Sequence, residues 1–218
     1  MADVYCYGMI SPSTVYLLTK DFLYPQANTY AEVECVFPSV GGEAANSAIV
    51  LQKLGIPTSL DGTWIARERS GQLFELLGTY GLDLSLLSVK DSGGTSEIVI
   101  ADGDTRTVFG NYTAFHSGPR QWNVPDENAI SQARVVALDP YFKYESKQAA
   151  ELCVKHKTPY VTLDSPYNDF IAQNAAIVVI SHELVDKEYQ GVSLKEVFDQ
   201  YLEYCRGLVI FSFGEKDL

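Results

Sequence analysis

From Thr58 onward, short β-rich runs alternate with stretches whose apolar residues recur at helical spacing. Thr58 to Gly62 is followed by Ser70 to Tyr80, and Arg134 to Asp139 by Glu145 to His156. Such alternation predicts βαβ units. Pro159 to Asp164, Ala176 to Ser181 and Gly207 to Phe213 continue the series. The last is preceded by an amphipathic stretch from Ser193 to Arg206 with Leu194, Val197, Phe198, Tyr201 and Leu202 at helical spacing. Runs such as Ile177-Val178-Val179-Ile180 offer apolar side chains to both faces, as strands of a parallel sheet between two helix layers do.

Two regions have a different rhythm. Thr14 to Thr19 with Ala31 to Phe37, and Thr95 to Ala101 with Thr105 to Gly110, read as antiparallel strands, and Asp102-Gly103 between the latter two is a hairpin turn signal. Antiparallel pieces that interrupt a parallel pattern predict a small β lid, with strands inside 14-37 and 95-111, beside the main sheet. The expected fold is one α/β domain over residues 1-218, a doubly wound, mostly parallel sheet flanked by helices. After the strand at Gly207 to Phe213 the chain reads Gly214-Glu215-Lys216-Asp217-Leu218, with no helix to cover that strand's far side. The domain is therefore expected to be C-terminally incomplete by a βα unit.

Composition narrows the function classes. A chain of 218 residues with 46% hydrophobic and 20% charged residues has the makings of a packed core. The net charge of -12, with no Lys/Arg cluster, gives a phosphate backbone nothing to hold, so nucleic acid is not an expected partner. No stretch approaches the roughly 18 apolar residues of a membrane span, and the start lacks a basic and apolar leader, which points to a cytoplasmic protein without membrane contact. Cys6, Cys35, Cys153 and Cys205 form no CxxC pair and sit in apolar runs, which predicts buried thiols rather than disulfides or zinc.

The sharpest local signal is Val40-Gly41-Gly42-Glu43-Ala44-Ala45-Asn46-Ser47-Ala48, two glycines running into a helix. Paired glycines permit close backbone approach, a helix start offers unpaired N–H donors, and the alanines let the helix lie near a sheet. Asn46 presents a donor and an acceptor suited to a hydroxyl-bearing ligand. Two readings stand side by side for the segment. It is a ligand-facing turn, or it is a Gly-rich turn with a tightly packed helix whose Asn46 is satisfied by backbone.

With Leu54-Gly55 closing the helix, this segment resembles the N-terminal signature of the PfkB (ribokinase-like) carbohydrate kinase family. The element order resembles the family over nearly the whole chain: an opening strand ending in Gly8, lid strands, the Gly-Gly helix, a strand ending at Asp61-Gly62, a second lid hairpin, then βα units. The resemblance implies ATP-dependent phosphorylation of a sugar or nucleoside hydroxyl, ATP and Mg2+ as the phosphoryl donor pair, and Gly41, Gly42 and Asn46 near the substrate hydroxyls. At Gly8-Met9-Ile10-Ser11-Pro12-Ser13 the family usually places an aspartate that grips sugar hydroxyls, and Ser13 stands there instead. Ser181-His182-Glu183 falls where the family has an Asn-x-x-Glu element. Ser212-Phe213-Gly214 resembles its Thr-x-Gly, making Ser212 and Gly214 candidate nucleotide contacts. The family's Gly-Ala-Gly-Asp helix start, which carries the catalytic base, does not occur in the 218 residues, so the base is expected beyond Leu218 and this chain alone is expected to be inactive.

Other residues carry weaker signals. His116, His156 and His182 are too far apart in sequence for a local metal site. Asp139-Pro140 and Asp164-Ser165-Pro166 end strands, as ligand residues or as turn formers. Tyr112 and Phe115 follow the second lid hairpin, to cover a ligand or to pack the lid. Two further functions remain open, a non-catalytic sugar-binding or regulatory relative and a nucleotide-dependent oxidoreductase, the latter without the GxGxxG fingerprint it needs. The apolar lid strands also suggest a homodimer joined through them.

Overall fold

A computed structural model describes residues 2–20, 27–102 and 105–214. The chain opens with β1 (Val4–Gly8), β2 (Ser11–Leu18), β3 (Val33–Gly41), α1 (Glu43–Lys53), β4 (Thr58–Gly62) and the two-residue β5 (Ile65–Ala66). It continues with α2 (Arg67–Gly78), β6 (Val89–Lys90), β7 (Glu97–Ala101), β8 (Arg106–Gly110), α3 (Tyr112–Ser117) and α4 (Glu127–Gln132). The remainder is β9 (Val135–Leu138), α5 (Tyr144–His156), β10 (Tyr160–Leu163), α6 (Phe170–Asn174), β11 (Ile177–Ser181), α7 (His182–Glu188), α8 (Leu194–Tyr204) and β12 (Leu208–Ser212).

The main sheet has six strands in the order β12-β11-β10-β9-β1-β4, and every neighbouring pair is parallel. From β1 the chain first moves to β4 and then returns past β1 to β9. The carboxyl ends of β1 and β9 are thus a topological switch point, the place where open α/β sheets leave a crevice for ligands.

Side-chain alternation along β1 builds the two cores. Tyr5 and Tyr7 enter the core that also holds Val136, Leu138, Val178 and Ile180 with residues of α5, α6 and α8. Val4 and Cys6 enter the opposite one, against Ala44, Ala45 and Ala48 of α1 and Leu73 and Leu77 of α2. The buried tyrosine hydroxyls find partners: Tyr5 donates to Asp61 at 2.7 Å and Tyr7 to the Asn123 carbonyl at 2.6 Å. In α8, Val197 and Tyr201 are fully buried and a Ser193/Glu196 capping box fixes the start, whereas Leu194 and Leu202 point to solvent at the rim of the apolar stripe.

The smaller sheet has the order β3-β2-β7-β8. β2–β3 and β7–β8 are antiparallel, but β2 and β7 pair in parallel, so the sheet is mixed rather than wholly antiparallel. The cause is topological. Both β2 and β7 run outward from the main sheet, where Thr95 Oγ1 donates to the Ile10 carbonyl at 3.1 Å, and two strands leaving the same edge run in the same direction. Asp102 accepts from the Thr105 backbone N–H at 2.8 Å, while Gly103 of the predicted turn lies outside the described residues. The exposed Cys35 corrects the expectation of a buried thiol, because β3 is the edge strand of this sheet; Cys6 and Cys153 are buried. Among the described residues no helix is long and apolar enough to cross a membrane.

Candidate functional site

The turn between β3 and α1 is shaped by its two glycines. Gly42 has φ 95°, and a Cβ on it would stand 2.2 Å from the Met9 carbonyl oxygen. Only glycine lets the start of α1 come this close to the end of β1. Gly41 serves a different neighbour: a Cβ there would lie 1.9 Å from Glu97 Oε1. Both glycines and Asn46 line a cavity of about 480 Å³ with Met9, Glu43, Glu97, Arg106, Tyr112, His116 and Tyr141. Its floor is the switch point after β1 and its roof is the smaller sheet. The Asn46 backbone N–H donates to Gly42 in the first turn of the helix, while its side-chain amide is exposed and makes no hydrogen bond to the described protein. Of the two readings of this segment, backbone satisfaction of Asn46 is therefore the one the structure does not contain.

Ser13 is buried and does not itself line the cavity. It reaches the cavity through Glu97, to whose Oε1 its hydroxyl donates at 2.5 Å. Tyr112 donates its hydroxyl to the other oxygen, Oε2. Burial and this carboxylate push the Tyr112 pKa well above its ordinary value, so the phenol keeps its proton and stays a donor. Phe115 packs with Trp122 and Phe142 in the core instead of facing the cavity.

Behind the cavity floor lies Asp139, at the end of β9. It accepts from the Met9 N–H at 2.5 Å and the Tyr141 N–H at 3.2 Å, and the missing Cβ of Gly8 leaves it room. Burial outweighs these hydrogen bonds and raises its pKa to about 8, with the nearby charge of Glu43 adding to the effect. Glu43 is raised for the same first reason, burial, and then by the charges of Glu97 and Asp164. The ends of the strands thus carry a concentration of carboxyl groups, with Arg106 as the cation at the cavity wall.

Ser212 and Gly214 stand at the end of β12, four strands along the same sheet edge from β1, a separation of about 19 Å at the usual strand spacing. They do not line the cavity with Gly41, Gly42 and Asn46. Gly214 has φ 63° and lies beside His182. Ser181, the register partner of Ser212, caps α7 by accepting from Leu184 N–H, and Asp164 accepts from its backbone N–H at 2.7 Å and from its hydroxyl at 3.0 Å. Asp164 itself sits at φ 44°, a left-handed conformation that aspartate tolerates at a turn. Glu183 is exposed in the first turn of α7, where its charge suits the helix dipole. Ser181 and Asp164 are thus occupied with each other and with a helix cap. Among the described residues no group of three or more His, Cys, Asp or Glu could hold a metal ion. A Ser hydroxyl and a glycine turn at a strand end fit a phosphate in part.

Glu97, Glu43, Arg106, Met9 and Tyr141 line the cavity without having been singled out from the sequence, and Asp139, which the sequence offers as a ligand residue or a turn former, lies behind its floor. No family model matches the chain. A nucleoside kinase from Methanothermobacter thermautotrophicus is 30% identical over 126 residues, 55% of this chain and 40% of that protein's length. Among solved structures, Arabidopsis thaliana ribokinase complexed with ribose and ATP superposes with a TM-score of 0.70 at 17% identity, covering 99% of this chain and 73% of the other. Burkholderia thailandensis nucleoside kinase in complex with inosine gives a TM-score of 0.65 at 16% identity, over 97% of this chain and 70% of its own. The fold is the ribokinase-like α/β fold, and the family resemblance read from the glycine helix points to the same group of proteins.

Proposed function

We propose that this chain forms the substrate-binding part of a ribokinase-type kinase, which phosphorylates a hydroxyl of a sugar or nucleoside with ATP. The observation that carries the reading is the unpaired amide of Asn46 opening, beside Gly41 and Gly42, onto a cavity of about 480 Å³ at the sheet's switch point. That volume suits a small polar ligand, and the site is concave with a few convergent polar groups. The Asn46 amide offers one donor edge and one acceptor to substrate hydroxyls. The smaller sheet acts as a lid that shields them from water.

Mg-ATP supplies the transferable phosphoryl group. On this reading Ser212 and Gly214 contact the nucleotide phosphates from the far end of the sheet edge. None of the cavity residues is assigned the proton transfer, and no Gly-Ala-Gly-Asp segment occurs in the 218 residues. The chain is therefore expected to bind its substrate without sugar-dependent ATP turnover.

The test is thermal stability of the chain against D-ribose, D-fructose, inosine, adenosine and Mg-ATP. A ligand at 100 times its Kd adds roughly 2.7 kcal/mol, and Asn46→Ala should weaken the protecting sugar or nucleoside about tenfold. Failure of every sugar and nucleoside to protect the folded chain rejects the reading.

We further propose that two copies pair through the smaller sheet. Val36 of β3, Ile98 of β7 and Phe109 of β8 are exposed on the face of this sheet turned away from the cavity. Light scattering should give twice the monomer mass, and a monomer rejects the pairing.

A further inference from the structure

Glu97 opens β7 between two register partners, Ser13 of β2 and Gly110 of β8. The three positions form a row across the smaller sheet, and each neighbour contributes to the placement of the carboxylate. Ser13 holds Oε1 from one flank at 2.5 Å. On the other flank Gly110 clears space: a Cβ there would lie 2.4 Å from the Tyr112 ring, whose hydroxyl holds Oε2. Beneath the carboxylate, Gly41 removes the one side chain that would collide with it, and Asn46 lines the same cavity.

An ionised carboxylate has about four lone-pair sites, two on each oxygen. Ser13 and Tyr112 take one on each, which leaves one acceptor per oxygen in a group that forms part of the cavity wall. Two acceptors on one rigid, planar group match two hydroxyls on adjacent carbons. A lone hydroxyl would use only half of the arrangement.

Resting on the substrate-site reading above, we propose that Glu97 grips a vicinal diol of the substrate, with Ser13 and Tyr112 as positioning residues. The carboxylate that the family resemblance locates at position 13 is here supplied across the sheet, from the neighbouring strand. Serine at 13 is then a requirement of the arrangement, because an aspartate there would face Glu97 with a like charge.

The experiment is calorimetric binding of inosine and D-ribose, each against its 2-deoxy counterpart (2′-deoxyinosine and 2-deoxy-D-ribose), by the wild-type chain and by Glu97→Gln. Wild type is expected to prefer the diol-bearing compound. Glu97→Gln should weaken that compound about 10- to 100-fold, the scale of a charge-assisted hydrogen bond, and weaken the deoxy compound by a few-fold at most. Tyr112→Phe keeps the ring and should reduce the diol preference without abolishing binding, an effect that a purely structural role would not produce. If wild type binds and both variants keep its affinity and its diol preference, Glu97 is not the diol acceptor, while the substrate site itself stands. If wild type binds neither inosine nor ribose nor any other sugar or nucleoside tried, the substrate-site reading fails and the inference falls with it. Thermal melts of both variants establish that they fold, and Tyr112→Phe carries the test alone if Glu97→Gln does not.

Discussion

Asp139 makes the stability of this protein pH-dependent in a direction opposite to that of an ordinary salt-bridged carboxylate. Its pKa moves from 3.8 to about 8 on folding, chiefly because it is buried behind the end of β1. The folded state therefore holds a proton that the unfolded chain releases near pH 4. Stability from this group is fully present below 3.8 and is lost as pH rises towards about 8, beyond which the curve is flat. Within that window each pH unit is worth about 1.36 kcal/mol, so two units from pH 5.5 to 7.5 cost about 2.7 kcal/mol. Glu43 and Asp61 are also raised by burial and act in the same direction, so the single-site effect is best read as a difference between two proteins. Asp139→Asn resembles the protonated acid in shape and in keeping one good acceptor oxygen; the Met9 and Tyr141 N–H groups meet different oxygens of the carboxyl, so in either form only one of them has that acceptor. Urea unfolding followed by fluorescence at the two pH values should show the variants within about 1 kcal/mol of each other at pH 5.5. At pH 7.5 the Asn variant should be ahead by about 2.7 kcal/mol, equivalent to roughly 5 to 10 °C in melting temperature for a chain of this size. Parallel pH profiles for the two proteins would show that Asp139 is ionised throughout and that burial does not dominate its surroundings.

Gly41→Ala puts a methyl group 1.9 Å from where Glu97 Oε1 now lies, so the carboxylate must leave its position between Ser13 and Tyr112. The far end of a flexible side chain moves more easily than backbone, so the expected result is a melting temperature within a few degrees of wild type with ligand protection lost; retained protection would mean that Glu97 placement is immaterial. On the outer surface of the smaller sheet, Val36→Lys places a charge in the exposed apolar patch of β3 and should convert a dimer to monomer by light scattering, and a variant that remains dimeric locates the contact elsewhere.

The scaffold of this site was legible in the chain, and its chemistry only partly so, for a physical reason. β1 ends at Gly8 and β4 spans Thr58–Gly62 as read, because each short run is closed by a glycine and, for β4, preceded and followed by a helical pattern. The Gly41-Gly42 helix start was legible because a close backbone approach has few residue solutions. Glu97 was not. In Glu97-Ile98-Val99-Ile100-Ala101 both faces of the strand are mostly apolar, so alternation does not say which side turns inward; the structure turns Glu97 and Val99 in and leaves Ile98 exposed. Its meaning also depends on a register between two hairpins whose contacting residues are 84 positions apart, and nothing local encodes that. For Asp139 the sequence leaves ligand residue and turn former before Pro140 both open, since its burial follows from pairing Tyr7 with Leu138 and from the side chain that Gly8 lacks.

Ser13 shows how the two kinds of information combine. Taken alone along the chain it is a loss, one hydroxyl where the family resemblance leads one to expect a carboxylate. Placed beside Glu97 by the parallel pairing of β2 and β7, it becomes the donor that a relocated carboxylate requires. An isolated substitution of this type cannot be judged as degradation until its cross-strand neighbour is known, because a strand position shares its face with the position beside it on the next strand, whereas its own chain neighbours point to the opposite face. The same logic predicts that Ser13→Asp by itself weakens ligand binding through repulsion with Glu97, and that pairing it with Glu97→Gln recovers part of the loss. A Ser13→Asp chain that binds as well as wild type would show that the two positions are not coupled, and the cross-strand account of this site would then have to be given up.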